Sequence, residues 1–240
     1  MFRHHGKART LKHNLKIASL LSFVAGIVNV AGLLSVQILT TNITGHFAFF
    51  VDETFKLNFL KGLVFLLFII FFFLGSFVSN FLVEIITRKG ERFIFAVPIA
   101  IETVILSLIA IFGERYVLDQ PNLIACCLLF AMGLQNSLVT KISNAVVRTT
   151  HLTGLVTDLG IELSQLFFYN TLEERAKLFS SIKLRMTIIG FFFIGGIVGG
   201  IFYERIGLYE LLIGSFSLML GLIYDNLKVR LILLKKKLYN

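Results

Sequence analysis

Residues 40–45 read Thr-Thr-Asn-Ile-Thr-Gly, and residues 149–154 read Thr-Thr-His-Leu-Thr-Gly. Each copy of this motif follows a long apolar run that carries its own polar group. The run before the first copy contains Gly-Ile-Val-Asn at 26–29, and the run before the second contains Gly-Leu-Gln-Asn at 133–136. This matched pair of polar segments in an apolar chain predicts an internally repeated fold with its functional site at the two motifs.

The composition around these motifs indicates an integral membrane protein. Hydrophobic residues make up 56% of the 240 residues, charged residues make up 15%, and the mean hydropathy is +0.85. A soluble core of this size needs much less apolar surface. A hydrocarbon core of ~30 Å takes ~20 helical residues to cross. The stretches predicted to cross it are 17–39, 60–83, 93–113, 122–145, 186–203 and 207–227.

The distribution of Lys and Arg predicts the orientation of these spans. If the N-terminus is cytoplasmic, all but four of the 23 Lys and Arg residues fall on the inner side. The four on the outer side are Lys56, Lys61, Arg115 and Arg205. Cytoplasmic loops collect positive charge in this way, so both termini are predicted to be cytoplasmic. The same rule explains the net charge of +9 without a nucleic-acid partner.

The two halves of the chain can be aligned over most of their length. The matching segments are 23–29 with 130–136 at an offset of 107, the two motifs at 109, and 71–75 with 191–195 at 120. The change in offset places an insertion at 170–183, a polar segment that we predict to be a cytoplasmic loop. Each half contains three spans, and an odd number forces the halves into opposite orientations.

The predicted fold is therefore an all-α integral membrane protein with six transmembrane helices in two inverted-topology three-helix repeats. A short re-entrant or interfacial helix follows the first span of each repeat. Had segments 42–58 and 149–169 crossed the membrane themselves, there would be eight spans and parallel halves; the charge distribution favours six. The predicted regions are a basic cytoplasmic tail at 1–16, repeats at 17–113 and 122–227, and a second basic cytoplasmic tail at 228–240.

The segments that follow the two motifs have helical order. Thr, Asn and Gly before a helix are typical of N-caps, and half-helices that begin at membrane depth bind solutes in transporters built on inverted repeats. The alternative is that the motifs only cap interfacial helices, and that Asn29, Gln135 and Asn136 only join helices by hydrogen bonds. The candidate solute-binding residues are Asn29, Thr41, Asn42, Thr44, Gly45, His46, Gln135, Asn136, Thr150, His151, Thr153, Gly154 and Asp158.

Three residues are candidates for proton coupling: Glu102, His46 and His151. Glu102 is an acidic residue well inside a predicted span, where an ionised carboxylate is costly, and His titrates near physiological pH. A structural hydrogen bond is the alternative for each. The sequence contains no Gly-rich phosphate loop, no paired metal-ligand spacing and no Ser-His-Asp set, so we predict neither an enzyme nor a cofactor nor a metal site.

At these motifs the chain resembles the YoaK-like family of bacterial inner-membrane proteins, a domain of unknown function (1275). The most specific portions are Gly-Leu-Gln-Asn at 133–136 and Arg-Thr-Thr-His-Leu-Thr-Gly at 148–154, and the resemblance extends from about Ser19 to Lys228. The chain departs from the family at Asn29 and His46, where the family usually has Asp and Asn. The resemblance implies a six-span protein of the bacterial inner membrane, without a settled activity.

Two functions remain open at this stage. The first is a small-solute transporter or channel-like protein whose polar site lies between the two repeats. The second is a membrane scaffold or regulator in which the repeat is only architectural. The predicted partners are the lipid bilayer and an unidentified small solute. The glycine-rich faces of the fifth and sixth spans fit a homodimer as well as packing inside the bundle.

Overall fold

The structure is a computed structural model and describes residues 10–88, 95–143 and 145–238. These residues form eight α-helices and no strand. The helices are α1 (Leu11–Val36), α2 (Ile43–Phe55), α3 (Phe59–Arg88), α4 (Ala96–Phe112), α5 (Pro121–Ser143), α6 (Leu152–Gln165), α7 (Leu172–Ile206) and α8 (Leu211–Leu238). Short 3-10 turns at Gly113–Arg115 and Gly207–Glu210 follow α4 and α7.

Five stretches of the described chain are long and apolar enough to cross a membrane. They are Leu11–Val36, Phe59–Arg88, Ala96–Arg115, Pro121–Ser143 and Leu172–Asp225. The last one contains α7 and the first part of α8, which the turn at Gly207–Glu210 separates. The chain is thus a helical membrane protein.

The outer face of α3 carries a row of exposed aromatic rings. Phe73, Phe77 and Phe81 follow one another at intervals of four residues, and each has more than half of its surface exposed. Their rings stack, with centroids 6.4 Å apart for the first pair and 5.8 Å apart for the second. Four-residue spacing places side chains on one helix face. A bare aromatic ladder of this kind is costly in water and suits a hydrocarbon environment.

Helices α1 and α5 lie at the centre of the bundle, and each packs against a helix of the other half. Helix α1 packs against α7, and α5 packs against α3. Helices α4 and α8 also pack against each other, and the hydroxyl of Ser107 donates to that of Ser215 at 3.1 Å between them. The short helices lie on the second long helix of their own half, α2 on α3 and α6 on α7.

Glycines bring α1 and α7 into backbone contact. A Cβ atom on Gly26 of α1 would collide with the carbonyl oxygen of Phe192 in α7. In return, a Cβ atom on Gly195 of α7 would collide with the carbonyl oxygen of Phe23 in α1. Small residues allow such close approach of helices in a membrane, where van der Waals packing drives association. The glycine-rich face of α7 therefore packs inside the bundle.

The same reciprocal contact joins α3 and α5. A Cβ atom on Gly75 would collide with the carbonyl oxygen of Phe130, and one on Gly133 would collide with that of Phe72. The sequence alignment pairs Gly133 with Gly26 and Gly75 with Gly195. Both central crossings are therefore made by aligned residues of the two halves.

Two boundaries differ from the sequence-based predictions. The loop predicted over 170–183 is wrong for most of its length, because α7 begins at Leu172. Thr171 caps this helix: its hydroxyl accepts a hydrogen bond from the Glu174 amide at 3.3 Å and donates to the Glu174 carboxylate at 2.5 Å. Thr171 is therefore the N-cap of α7, a position at which Thr is among the preferred residues. At the other end, α8 continues through much of the predicted basic tail, to Leu238.

The helices predicted after the two motifs are present and short. Helix α2 has 13 residues and α6 has 14. At 1.5 Å per residue each is roughly 20 Å long, which is less than a hydrocarbon core of ~30 Å. Neither meets the length required of a span.

Candidate functional site

Each motif is tied to the first long helix of its own half by the same hydrogen bond. The side-chain oxygen of Asn29 in α1 accepts from the Thr41 hydroxyl at 2.9 Å and from the Thr41 amide at 3.2 Å. In the second half, the side-chain oxygen of Asn136 in α5 accepts from the Thr150 hydroxyl at 2.7 Å. The alignment pairs Asn29 with Asn136 and Thr41 with Thr150. The polar residues inside the spans thus hold the motifs in place.

The motifs begin the two short helices in different ways. Asn42 caps α2, because its side-chain oxygen accepts from the Gly45 amide at 3.0 Å. His151 occupies the same position before α6 without a side-chain cap, and its ring lies against Gly154, where a Cβ atom would be 2.5 Å from Nε2. The predicted cap is thus present in the first copy, supplied by the Asn side chain.

The two motifs meet at a cavity of about 850 Å³, the central cavity. Nine of the predicted site residues line it: Asn29, Thr41, Asn42, Thr44, Gly45, Asn136, Thr150, His151 and Thr153. Its apolar wall includes Phe72 and Phe192, the residues whose carbonyl groups make the glycine contacts. The structure therefore brings the two motifs, 109 residues apart in the sequence, to one site.

His46 and Gln135 are not among the residues that line the central cavity. His46 is buried against α3, where its Nε2 lies 3.0 Å from the Leu39 carbonyl oxygen and its ring contacts Phe68 edge-on. Burial lowers the pKa of His46, and the hydrogen bond to the Leu39 carbonyl opposes that effect only in part. Gln135 is also buried, and its amide donates to the Leu21 carbonyl at 3.0 Å.

Glu102 lies in α4 and is fully buried. Neither carboxylate oxygen has a hydrogen-bond partner among the described residues, and Glu102 does not belong to the central cavity wall. The structure leaves proton coupling by Glu102, His46 or His151 as a prediction.

Gly154 and Asp158 lie in a second cavity of about 510 Å³, the adjoining cavity, between α6 and α7. Arg148 and His151 line both cavities. The two cavities are therefore neighbours that share these two wall residues.

An ionic cluster joins α6 to α7 beside the adjoining cavity. The Arg185 guanidinium lies 2.9 Å from the Asp158 carboxylate and donates to both oxygens of Glu162 at 2.8 and 2.9 Å. The Ser181 hydroxyl also donates to Glu162, at 2.5 Å. These contacts hold the short helix against the long one through charge.

The corresponding contact in the first half is aromatic. The alignment offsets pair Asp158 with Phe49 and Arg185 with Phe65. The rings of Phe49 and Phe65 stack with their centroids 5.1 Å apart. Aligned positions therefore join the short helix to the long helix in both halves. The contact is aromatic in the first half and ionic in the second.

Sequence reasoning missed Arg148 and Thr140 as residues of the central cavity. Arg148 directly precedes the second motif, and Leu39, the residue aligned with it, lines the cavity from the first half. Thr140 lies one helical turn after Asn136, a spacing that keeps both on one face of α5. Both signals were present in the sequence, but Arg148 was counted among the inner cations and the family-like residues and not among the candidate binding residues. Within the described ranges, no group of three or more His, Cys, Asp or Glu is placed to hold a metal ion.

The fold and the site define a helical membrane protein with a cavity between two related motifs. A family model described as a protein of unknown function (DUF1275) matches residues 17–224, which is most of the chain. The chain belongs to this family. No curated protein and no solved structure matches it.

Proposed function

We propose that the chain is a small-solute transporter in which two inverted three-helix halves share one binding site. The observation that carries this proposal is the central cavity, which both motifs line and on which both Asn–Thr hydrogen bonds lie. Polar groups at membrane depth are costly and mark solute pathways. A cavity of about 850 Å³ also falls within the range of small-molecule sites.

The pairing of helices supports an inverted repeat. Exchanging the halves converts α1 into α5 and α7 into α3, so the α1–α7 contact becomes the α5–α3 contact. Both contacts occur, with reciprocal glycine-to-carbonyl approaches at aligned residues. In this arrangement α1, α3, α4, α5, α7 and α8 cross the membrane, whereas α2 and α6 enter it without crossing. Both termini then face the cytoplasm of a bacterial inner membrane, as the Lys and Arg distribution requires.

This topology places the two short helices, α2 and α6, toward opposite sides of the membrane. Helix α6 and the adjoining cavity lie toward the cytoplasm. The adjoining cavity, which has Arg148 and His151 in common with the central cavity, then provides the inner route for the solute. Helix α2, held by the Phe49–Phe65 stack, lies toward the outside. Alternating access then requires one half to rock against the other, with separation of α6 from α7 widening the inner route.

A flux measurement tests the proposal. The hydroxyls of Thr44 and Thr153 line the central cavity and make no hydrogen bond to another described residue, so they are available to a solute. Proteoliposomes containing the wild-type chain are incubated with a defined mixture of amino acids, sugars, nucleosides and organic acids, and their contents are quantified by mass spectrometry. At least one solute is expected above the level in empty liposomes.

The double variant Thr44→Val/Thr153→Val is expected to reduce that uptake roughly tenfold, because two hydrogen bonds to the solute are lost. The matched control is Thr103→Val/Thr157→Val, whose hydroxyls bond to carbonyl groups of their own helices. The control variant is expected to transport like the wild type. Equal flux through wild type and Thr44→Val/Thr153→Val contradicts the site, and no uptake of any solute by the wild type favours a scaffold.

A further inference from the structure

The transported solute can be assigned a charge, and this assignment rests on the proposed transport function. We infer that the central cavity binds a small organic anion and that Arg148 binds its charged group. Arg148 carries the one permanent charge among the residues that line this cavity, and neither Asp nor Glu is among them. His151 is the other ionisable lining residue.

The nearby carboxylates already have a cationic partner, so Arg148 is available to a ligand. In the adjoining cavity the carboxylate of Asp158 pairs with Arg185, as does that of Glu162 beside it. Arg148 makes no ion pair or hydrogen bond with another described residue. An arginine on a cavity wall without a carboxylate partner is suited to a carboxylate or phosphate group of a ligand, which its planar guanidinium can bind through two parallel hydrogen bonds.

The aligned residue in the first half shows that the architecture does not require this cation. Leu39 takes the same place before the first motif and also lines the central cavity. The first half is therefore built with an apolar residue where the second half has Arg148. Packing of the repeat therefore does not depend on a cation at this place, and the charge of Arg148 is exposed to the content of the cavity.

The remainder of the wall fits an anion that is larger than an inorganic ion. Thr44 and Thr153 offer hydroxyl donors, and α2 and α6, of 13 and 14 residues, both begin at the cavity with their positive dipole ends. Phe72 and Phe192 provide an apolar surface for an organic group. The volume of about 850 Å³ exceeds the needs of phosphate or sulfate alone.

Thermal stabilisation of the full chain in detergent tests the inference independently of flux. The probes, compared at constant ionic strength, are phenylacetate and phenyl phosphate as organic anions, phenylacetamide and phenethylammonium as neutral and cationic analogues, and inorganic phosphate. Phosphatidylglycerol added to the micelle reports binding of a lipid headgroup. An organic anion is expected to raise the melting temperature of the wild type, and the neutral and cationic analogues are not.

Three variants locate the charge. Arg148→Leu is expected to weaken binding of the organic anion by about tenfold or more, as for loss of a charge-assisted hydrogen bond. Lys183→Leu removes an exposed cation of α7 outside both cavity walls and is expected to bind like the wild type. Arg148→Leu/Leu39→Arg moves the cation to the aligned position on the wall of the same cavity. This variant is expected to recover anion binding. It would not recover binding if Arg148 only stabilised its own loop.

The outcomes separate this inference from the transport proposal. If an organic anion binds in detergent through Arg148 but proteoliposomes show no flux, the anion site stands and the transport proposal is contradicted. Flux of a neutral or cationic solute, unchanged in Arg148→Leu, keeps transport and overturns the anion site. A response to phosphatidylglycerol alone assigns Arg148 to the lipid surface and overturns the inference, as does the absence of stabilisation by every anion.

Discussion

Replacing Gly133 with Val is expected to prevent the chain from forming a stable bundle. The first side-chain atom would meet the Phe72 carbonyl oxygen of α3, and backbone atoms of Ser76 also lie close to it. Because the obstacle is backbone, relief requires the two central helices to separate, and we expect a loss of more than about 3 kcal/mol, at or above the usual cost of overpacking. Fluorescence-detected size exclusion of the detergent-extracted protein should show no monodisperse peak.

Gly75→Val is expected to behave in the same way, since Gly75 faces the Phe130 carbonyl from the other side of the same crossing. Gly190→Val in α7 and Gly160→Val in α6 are the matched controls, because nothing lies within 4 Å of a Cβ atom at either position. Both controls should elute like the wild type. Normal elution of Gly133→Val would contradict the close crossing of α3 and α5.

The second large effect is expected at the ionic cluster between α6 and α7. Arg185→Leu leaves Glu162 without its cation, and only 12% of the Glu162 side chain is exposed. Breaking a fully buried pair costs roughly 3–5 kcal/mol and breaking an exposed one costs roughly 0–1. For this partly exposed pair we expect a loss of about 2 kcal/mol, seen as a lower melting temperature.

A double-mutant cycle separates the charge from the packing. Arg185→Leu/Glu162→Leu removes the cation and the less exposed of its two carboxylates. This variant should recover much of the lost stability, because the remaining carboxylate, Asp158, is 50% exposed. Lys177→Leu is the control, since its ion pair with Glu173 is 74% and 80% exposed and should contribute little. If Arg185→Leu melts at the same temperature as the wild type, the cluster does not hold α6 against α7.

The sequence predicted the features that the repeat encodes. The two motifs, the Asn residues upstream of them and the glycines of the crossings are aligned pairs. The structure brings the motifs and the Asn residues to one cavity and the glycines to the two helix crossings. A repeated local pattern can be recognised without knowing the packing. For that reason Thr41 and Thr150 could be assigned to one site although they lie far apart in the chain.

The sequence was less informative where packing between helices decides. His46 lies four residues after Asn42, but α3 covers it, and the phenylalanines that do so lie about 20 residues further along. The pairing of Glu162 with Arg185 also joins two helices. Only the start of α7 was recognisable locally, from the N-cap residue Thr171, and the polar composition of 170–183 concealed it.

Everything proposed for the site depends on the two halves facing opposite sides of the membrane, and cysteine labelling in intact cells tests this most directly. Lys56 after α2 and Lys177 in the first turns of α7 are matched positions, because both are exposed and both form an ion pair with an acidic residue four positions earlier. Each is replaced by Cys in a Cys126→Ala/Cys127→Ala background, which removes both native cysteines.

A membrane-impermeant maleimide is expected to label Lys56→Cys in intact cells and to label Lys177→Cys only after the membrane is permeabilised. Labelling of both positions from the same side would contradict the inverted arrangement, and with it the shared cavity as a transport site.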